Sequence, residues 1–226
     1  MEAPFTIGGV YSSALDLFEK KWKLLVSATI VYFIVTMAAS RISVWVSTKN
    51  PLSTSLASLL LNLLTLIFSI GFIQLALKLA RKEEASLNDL IPTSINRYLK
   101  VLGGGIAVAL VVFLGFILFI IPGIILSLRY SQVTYLLIDQ DLSIREAFHE
   151  SNRLTWGART KVKIFLLGIT SLLCVIAGLL LFIVGIIVAF PVIILAHVCA
   201  YLAMRQAADA DMGTDEAVSG SLPASA

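Results

Sequence analysis

A run of 41 residues, 164–204, contains no Asp, Glu, Lys or Arg, and this run limits the possible folds more than any other feature. As a single helix it would be roughly 61 Å long, about twice the thickness of the hydrocarbon core of a membrane. Two transmembrane spans joined by a tight turn account for this length. We place the turn at Gly185, because glycine accepts backbone conformations that other residues avoid.

Three further apolar runs are long enough to cross a membrane. They cover residues 24–40, 50–77 and 101–128, and the third continues as a largely apolar chain to residue 138. Pro122 and Gly123 divide this third run, because proline interrupts the hydrogen bonds of a helix. The six predicted spans are approximately 24–46, 55–80, 100–120, 123–138, 163–182 and 186–205.

The composition places these spans in lipid. Apolar residues make up 58% of the chain, charged residues 14%, and the mean hydropathy is +0.95. A chain of this composition cannot hide most of its apolar surface in a soluble core. Membrane-spanning strands would alternate polar and apolar positions, and these runs do not alternate. The predicted fold class is therefore all-α: a polytopic transmembrane helical bundle of six spans.

The basic residues predict the orientation of the bundle. Most of the 17 lysines and arginines flank the spans on one side, whereas the opposite side has only Arg41 and Lys49. By the positive-inside rule, both termini are predicted to be cytoplasmic. The basic side is also expected to contact anionic lipid headgroups. The chain has no basic domain outside the membrane, so we do not expect it to bind nucleic acid.

An amphipathic stripe precedes three pairs of spans. It begins near Thr6, Ser86 and Ser143, and the second and third stripes have the serine-to-acid spacing of a capping box. The predicted unit is a cytoplasmic amphipathic helix at the membrane interface followed by two spans. Within a membrane domain of residues 1–206, the three pseudo-repeats are about 6–81, 86–139 and 143–205. The alternative is that the three units are not related, and that they look alike only because any chain of membrane spans alternates apolar runs with amphipathic segments.

The remaining segment, 207–226, is rich in Ala, Ser, Gly and Asp. This composition predicts a disordered cytoplasmic tail.

Arg129 is the most unusual polar residue within a predicted span. An arginine inside a membrane needs a partner, water or access to the headgroups. One hypothesis is a polar site for an anionic solute or headgroup around Arg129, with Gln132, Asn62 and Gln74 as its neighbours. The alternative is that Arg129 extends to the interface or makes a structural hydrogen bond to one of these amides.

The third amphipathic stripe carries a polar side that could bind a partner. Arg145, Glu146, His149, Glu150 and Arg153 form this predicted cytoplasmic docking face. The alternative is an ordinary solvated side of a helix that lies on the membrane.

Gly157 is predicted to form the turn from the third amphipathic helix into the fifth span. The chain has no HExxH, Walker A or GxSxG motif, which argues against an enzyme. Two cysteines and two histidines, without other clustered ligands, predict neither a metal site nor a cofactor site.

A set of motifs extends from residue 121 to residue 157, across the second and third predicted units. These motifs are Ile121-Pro122-Gly123, Leu128-Arg129-Tyr130, Ser143, Glu146-Ala147-Phe148, Ser151, Arg153-Leu154 and Gly157. In these motifs the chain resembles a set of bacterial six-helix membrane proteins that are related to the membrane domain of some glycerophosphoryl diester phosphodiesterases. The resemblance implies an architecture and a bacterial inner membrane, and it does not carry over the chemistry of the phosphodiesterase.

The sequence thus predicts a non-enzymatic membrane protein that organises or assists membrane components or lipids. Its expected partners are the bilayer, another membrane protein or a second copy of the chain. The alternative is a transporter of a small solute or lipid with a polar site around Arg129.

Overall fold

The computed structural model describes residues 5–47, 51–91, 95–180 and 182–220, and these residues form helices joined by short connections. A 3₁₀ turn, Leu87–Leu90, lies between the second and third helices. The α-helices are α1 (Ile7–Ser47), α2 (Pro51–Ala80), α3 (Ile95–Leu118), α4 (Ile120–Arg129), α5 (Val133–Gln140), α6 (Ile144–Leu154), α7 (Ala158–Leu180) and α8 (Phe182–Gly220).

Six segments of the described chain are long and apolar enough to cross a membrane. They are Ile7–Ile42, Ala57–Ala80, Ile95–Leu118, Ile120–Gln140, Arg159–Leu180 and Gly185–Ala210. The fourth segment consists of two short helices, α4 and α5, separated at Tyr130–Gln132. The prediction of an all-α, polytopic helical bundle is confirmed, and the chain is an integral membrane protein.

The long helices pack in a cyclic order. The first long helix of each predicted repeat (α1, α3 or α7) packs on the second span of its own repeat, which is α2, α4–α5 or α8. Each also contacts the second span of another repeat: α1 contacts α8, α7 contacts α4, and Tyr98 of α3 donates a hydrogen bond to the carbonyl of Leu63 in α2. This packing fits three related units, while the internal sequence repeat itself stays a prediction.

The core lies where α1, α2, α5 and α8 meet. Phe72 and Tyr201 are its largest fully buried side chains, and Tyr32 of α1 stacks on Phe190 of α8 with ring centroids 5.0 Å apart. In contrast, α3, α4 and α7 expose many large apolar side chains, such as Phe113 and Leu172. This is the pattern of helices that meet lipid on one side and each other on the other.

The turn between α3 and α4 lies earlier than predicted. Phe119 has an extended backbone and separates the two helices, so Pro122 falls in the first turn of α4, where a missing N–H costs little. Gly123 is needed for close packing instead. A Cβ atom at Gly123 would lie 2.5 Å from the ring of Phe116, and one at Gly115 would lie 3.1 Å from the Cα of Gly123.

The turn between α7 and α8 shows the same displacement. The two helices meet at residue 181, which lies outside the described residues, and Gly185 is already within α8. A Cβ atom at Gly178 would lie 3.0 Å from the carbonyl oxygen of Gly185. In both hairpins, the predicted turn glycine therefore lies just below the turn, where it lets two helices approach closely.

The amphipathic stripes fold back onto the bundle. The first belongs to α1, where Gly9 N–H donates to the Thr6 hydroxyl over 3.3 Å and a non-helical residue, Lys21, separates the stripe from the span. The third is α6, in which Ser143 and Glu146 form the predicted capping box. Ala14 of the first stripe and Ala147 of the third are fully buried against neighbouring helices.

The second stripe does not form the predicted helix. It is a 3₁₀ turn, in which Ser86 N–H donates to the carboxylate of Asp89 over 2.8 Å. Pro92, which follows in the sequence, lies outside the described residues. The backbone of Leu90 packs so closely on α2 that a Cβ atom at Gly71 would lie 1.9 Å from its carbonyl oxygen.

Two further connections bear on the sequence predictions. Gly157 has a φ of +98° and joins α6 to α7, a conformation that favours glycine. Helix α8 continues to Gly220, so residues 207–220 are helical where we expected a disordered tail. Ala207, Ala208 and Ala210 favour this continuation, because alanine has the highest helix propensity.

Candidate functional site

A buried carboxylate joins three helices at one end of the bundle. Asp139 of α5, whose side chain is 1% exposed, pairs with Arg81 at the end of α2 over 2.5 Å and with Arg205 of α8 over 3.0 Å. The Tyr201 hydroxyl donates to the same carboxylate over 2.9 Å. We call these four residues the Asp139 junction. A carboxylate this deeply buried depends on such charged partners and hydrogen bonds.

The sequence places these charges where three apolar helices end. Arg81, Asp139 and Arg205 follow the apolar parts of α2, α5 and α8, and the packing brings these helix ends together. The signal that could have identified Asp139 was its position near the carboxyl end of a helix, where the macrodipole disfavours a negative charge. We call this end of the bundle, which also carries α6, the charged end.

A cleft of about 760 Å³ opens between α6 and α8 at the charged end. All five residues of the predicted docking face line this cleft. The complete lining is Gln140, Leu142, Arg145, Glu146, His149, Glu150, Arg153, Arg205 and Asp209. We call it the α6–α8 cleft. The contribution of α8 was not predicted, because the spacing of residues along α6 shows only which of them share a face of that helix.

Paired charges shape the walls of this cleft. Arg153 donates to Glu150 through Nε over 2.9 Å and Nη2 over 2.5 Å, and Asp209 lies 3.8 Å from the guanidinium. The hydrogen bond with Glu150 raises the pKa of Arg153. Glu146 is held by the capping box, where hydrogen bonds from Ser143 lower the pKa of the carboxyl.

The rim of the cleft is polar and accessible. Arg145 and His149 are exposed, whereas Leu142 contributes an apolar side chain that is half-buried. The lining contains three arginines and three carboxylates. Within the described ranges, no cluster of three or more His, Cys, Asp or Glu side chains could hold a metal ion. The cleft is thus suited to binding a charged surface by complementary pairing.

Arg129 lies at a second polar contact, between α4 and α6. Its Nε donates a hydrogen bond to the side-chain oxygen of Asn152. Its backbone carbonyl accepts hydrogen bonds from the hydroxyls of Ser151, over 2.9 Å, and Thr155, over 3.0 Å. We call these four residues the Arg129 junction. The carbonyls in the last turn of a helix need such partners, because the helix that would have supplied them has ended.

The other residues of the predicted intramembrane site lie apart from this junction's hydrogen bonds. Asn62 donates to the Ser58 carbonyl in its own helix over 2.8 Å, and Gln132 donates to Ser131 over 2.8 Å. Gln74 has a buried side-chain nitrogen without a hydrogen-bond partner among the described residues. The polar contacts described for Arg129 are therefore with Asn152, Ser151 and Thr155 at the end of α6, and not with the three amide side chains predicted from the sequence.

The sequence contained a signal for the Arg129 junction. The third amphipathic stripe ends in polar residues at Asn152 and Thr155, where the corresponding positions of the first stripe are apolar. These polar positions receive the carboxyl end of α4. The stripe is therefore polar at these two positions because Asn152 and Thr155 form hydrogen bonds with Arg129, whereas the apolar residues of the first stripe pack against other apolar side chains.

Comparisons of the chain with protein-family models, with curated proteins and with solved structures found no match. The resemblance to bacterial six-helix membrane proteins therefore stays a prediction from the sequence motifs.

Proposed function

We propose that this integral membrane protein is a non-enzymatic organising protein, and that it docks a partner protein in the α6–α8 cleft. One observation carries the proposal: the five residues selected from the sequence as a docking face line a single cleft together with Arg205 and Asp209. The polar side of a helix that faces only solvent would not be enclosed by residues of a second helix, whereas here Arg205 and Asp209 of α8 lie opposite α6.

The chemistry of the cleft indicates the kind of partner. Its lining carries equal numbers of arginines and carboxylates, and Leu142 adds an apolar contact. The partner is a protein segment that carries both acidic and basic side chains around a small apolar residue. Charge complementarity of this type contributes mainly to specificity and to the rate of association.

We further propose that the cleft lies on the cytoplasmic side of a bacterial inner membrane. Lys82 and Lys100 lie at the charged end, in addition to the arginines of the α6–α8 cleft and of the Asp139 junction. The positive-inside rule assigns such an end to the cytoplasm. Accessibility of a tag after Gly220 to a protease in spheroplasts and in inverted vesicles tests this orientation.

A photo-crosslinking amino acid at position 149 tests the docking proposal in cells. His149 is exposed and lines the cleft, so a docked partner should yield a discrete crosslinked product. Arg145→Glu should greatly reduce this product by reversing a charge on the rim. The matched control is Arg41→Glu, because Arg41 is an exposed arginine of α1 that does not line the cleft.

The two variants make the outcome decisive. A product that persists in Arg145→Glu, or that disappears equally in Arg41→Glu, contradicts docking in this cleft. Proteoliposomes test the alternative of transport. Solute or lipid movement that is abolished by Arg129→Ala would favour it, although the guanidinium of Arg129 is already bonded to Asn152.

A further inference from the structure

A second and smaller cleft, of about 370 Å³, lies at the charged end between the carboxyl end of α2 and helix α8. Arg81, Lys82, Arg205 and Gln206 line it, with Asp209 as its one carboxylate. Three cations and an amide thus face a single acidic side chain. This cleft is distinct from the α6–α8 cleft, although Arg205 and Asp209 contribute to both.

The Asp139 junction fixes two of these cations beside each other. One carboxylate cannot neutralise two guanidinium groups, so the junction keeps a positive charge. The side chains of Arg81 and Arg205 remain 35% and 32% exposed, so part of each is accessible from outside the core. Arg205 also lies 3.8 Å from the carboxylate of Asp209, so Arg81, whose five N–H donors exceed those that its bond to Asp139 uses, is the more available of the two guanidinium groups.

Lys82 has a backbone conformation that normally favours glycine. Its φ is +61°, and it ends α2 in a Schellman motif, with Lys82 N–H donating to the Leu79 carbonyl and Glu83 N–H donating to the Lys78 carbonyl. A lysine there carries a backbone cost that glycine would avoid. The side chain brings a third cation to the cleft, which gives a reason for a lysine at this position.

The cleft lies where the apolar parts of two spans end. The candidate spans Ala57–Ala80 and Gly185–Ala210 both reach it, and Ala80 and Leu202 supply apolar lining. Basic pockets in such positions are suited to the phosphate groups of lipid headgroups. We infer that Arg81, Lys82 and Arg205 bind the phosphate of an anionic lipid headgroup at this cleft.

The sharpest test uses Lys82 and not the arginines, because loss of either arginine would leave Asp139 with one charged partner. We expect Lys82→Gly to weaken the binding of a short-chain phosphatidylglycerol about fivefold, as for the loss of one basic residue near an anionic surface. Purified full-length protein in neutral micelles, titrated with the lipid and followed by native mass spectrometry, measures this affinity. Lys82→Arg should retain most of the binding.

A matched control variant, thermal unfolding and the binding of inorganic phosphate distinguish a lipid site from a change in folding and from general anion binding. Lys21→Ala removes an exposed lysine that does not line this cleft, and it should leave the affinity unchanged. Thermal unfolding in neutral micelles should show Lys82→Gly to be at least as stable as the parent. Unchanged lipid affinity in Lys82→Gly would overturn the inference. Inorganic phosphate that binds as tightly as the lipid would also overturn it, because the site would then recognise a free anion.

Discussion

The Asp139 and Arg129 junctions both connect separate helices through polar groups, but they differ in what a missing partner would leave behind. Asp139 is a buried anion between two cations, Arg81 and Arg205. Arg129 bonds a neutral amide, and its carbonyl accepts from two hydroxyls. Attraction between opposite charges holds the first junction together, whereas hydrogen bonds to a backbone carbonyl hold much of the second. We therefore expect the first to determine bundle stability and the second to position α6.

The largest effect is expected from Asp139→Ala. The substitution leaves two partly buried guanidinium groups without their shared carboxylate, and breaking a buried ion pair in this way costs about 3–5 kcal/mol. We expect the lower part of this range, because each arginine side chain is about one-third exposed. Unfolding of the purified protein in mixed micelles, as the denaturing detergent is increased, measures the loss.

Asp16→Ala is the matched control for this prediction. Asp16 is 59% exposed and pairs with Lys20 over 2.6 Å within α1, so its loss should cost less than about 1 kcal/mol. Equal destabilisation by the two alanine variants would show that the burial of Asp139 between two arginines has no special role.

The next effect concerns the capping of α4. Replacing Ser151 with Ala and Thr155 with Val together removes both hydroxyl donors from the Arg129 carbonyl. We expect a loss of about 1–3 kcal/mol, because a buried carbonyl is left unsatisfied. The same unfolding experiment measures it. Thr170→Val should have a smaller effect, since Thr170 is only half-buried and makes an exposed hydrogen bond to the Leu166 carbonyl within its own helix.

A smaller effect is expected from Arg129→Met, which removes the guanidinium but keeps a long side chain. The lost hydrogen bond to Asn152 is worth about 1.5–3 kcal/mol, and the removal of a charge from an apolar region offsets part of it. The net change should be smaller than for the double substitution. Destabilisation as large as that of Asp139→Ala would contradict the distinction between the two junctions.

The smallest effect is a pH dependence at the start of α6. The pKa of Glu146 is lowered in the folded protein, so its contribution is present above the ordinary pKa of about 4.3 and is lost as pH falls through the lower folded value. The hydrogen-exchange protection factors of the first amides of α6, which correct for the intrinsic pH dependence of exchange, should fall over this acidic range. Glu146→Ala should abolish the dependence, and persistence of the dependence would assign it to another group.

The spans were predictable because the length of an apolar run depends only on local composition. The turn at Phe119 was not predictable in this way. The local pattern predicted a turn at Pro122 and Gly123, but Gly123 is within α4 and allows close packing of α4 on α3. For the second amphipathic stripe, spacing predicted a helix, but the segment folds as a 3₁₀ turn against Gly71.

The candidate site divides in the same way. The polar face of α6 was visible from the spacing of Arg145, His149 and Arg153, since these residues lie on one helix. The pairing of Asp139 with Arg81 and Arg205 was not visible, because it joins residues from three distant parts of the chain. A buried charge and its partners can be matched only when the order of helix packing is known.

The Asp139 junction also has a consequence for biosynthesis. The ribosome makes Arg81 first, Asp139 next and Arg205 last, so the three charges are brought together only after α8 has been synthesised. A nascent chain that stops before α8 holds Asp139 with a single arginine and without Tyr201. The carboxylate of Asp139 would therefore be less well compensated in such an incomplete chain than in the completed chain, so α8 is needed for the full set of contacts at this end of the bundle.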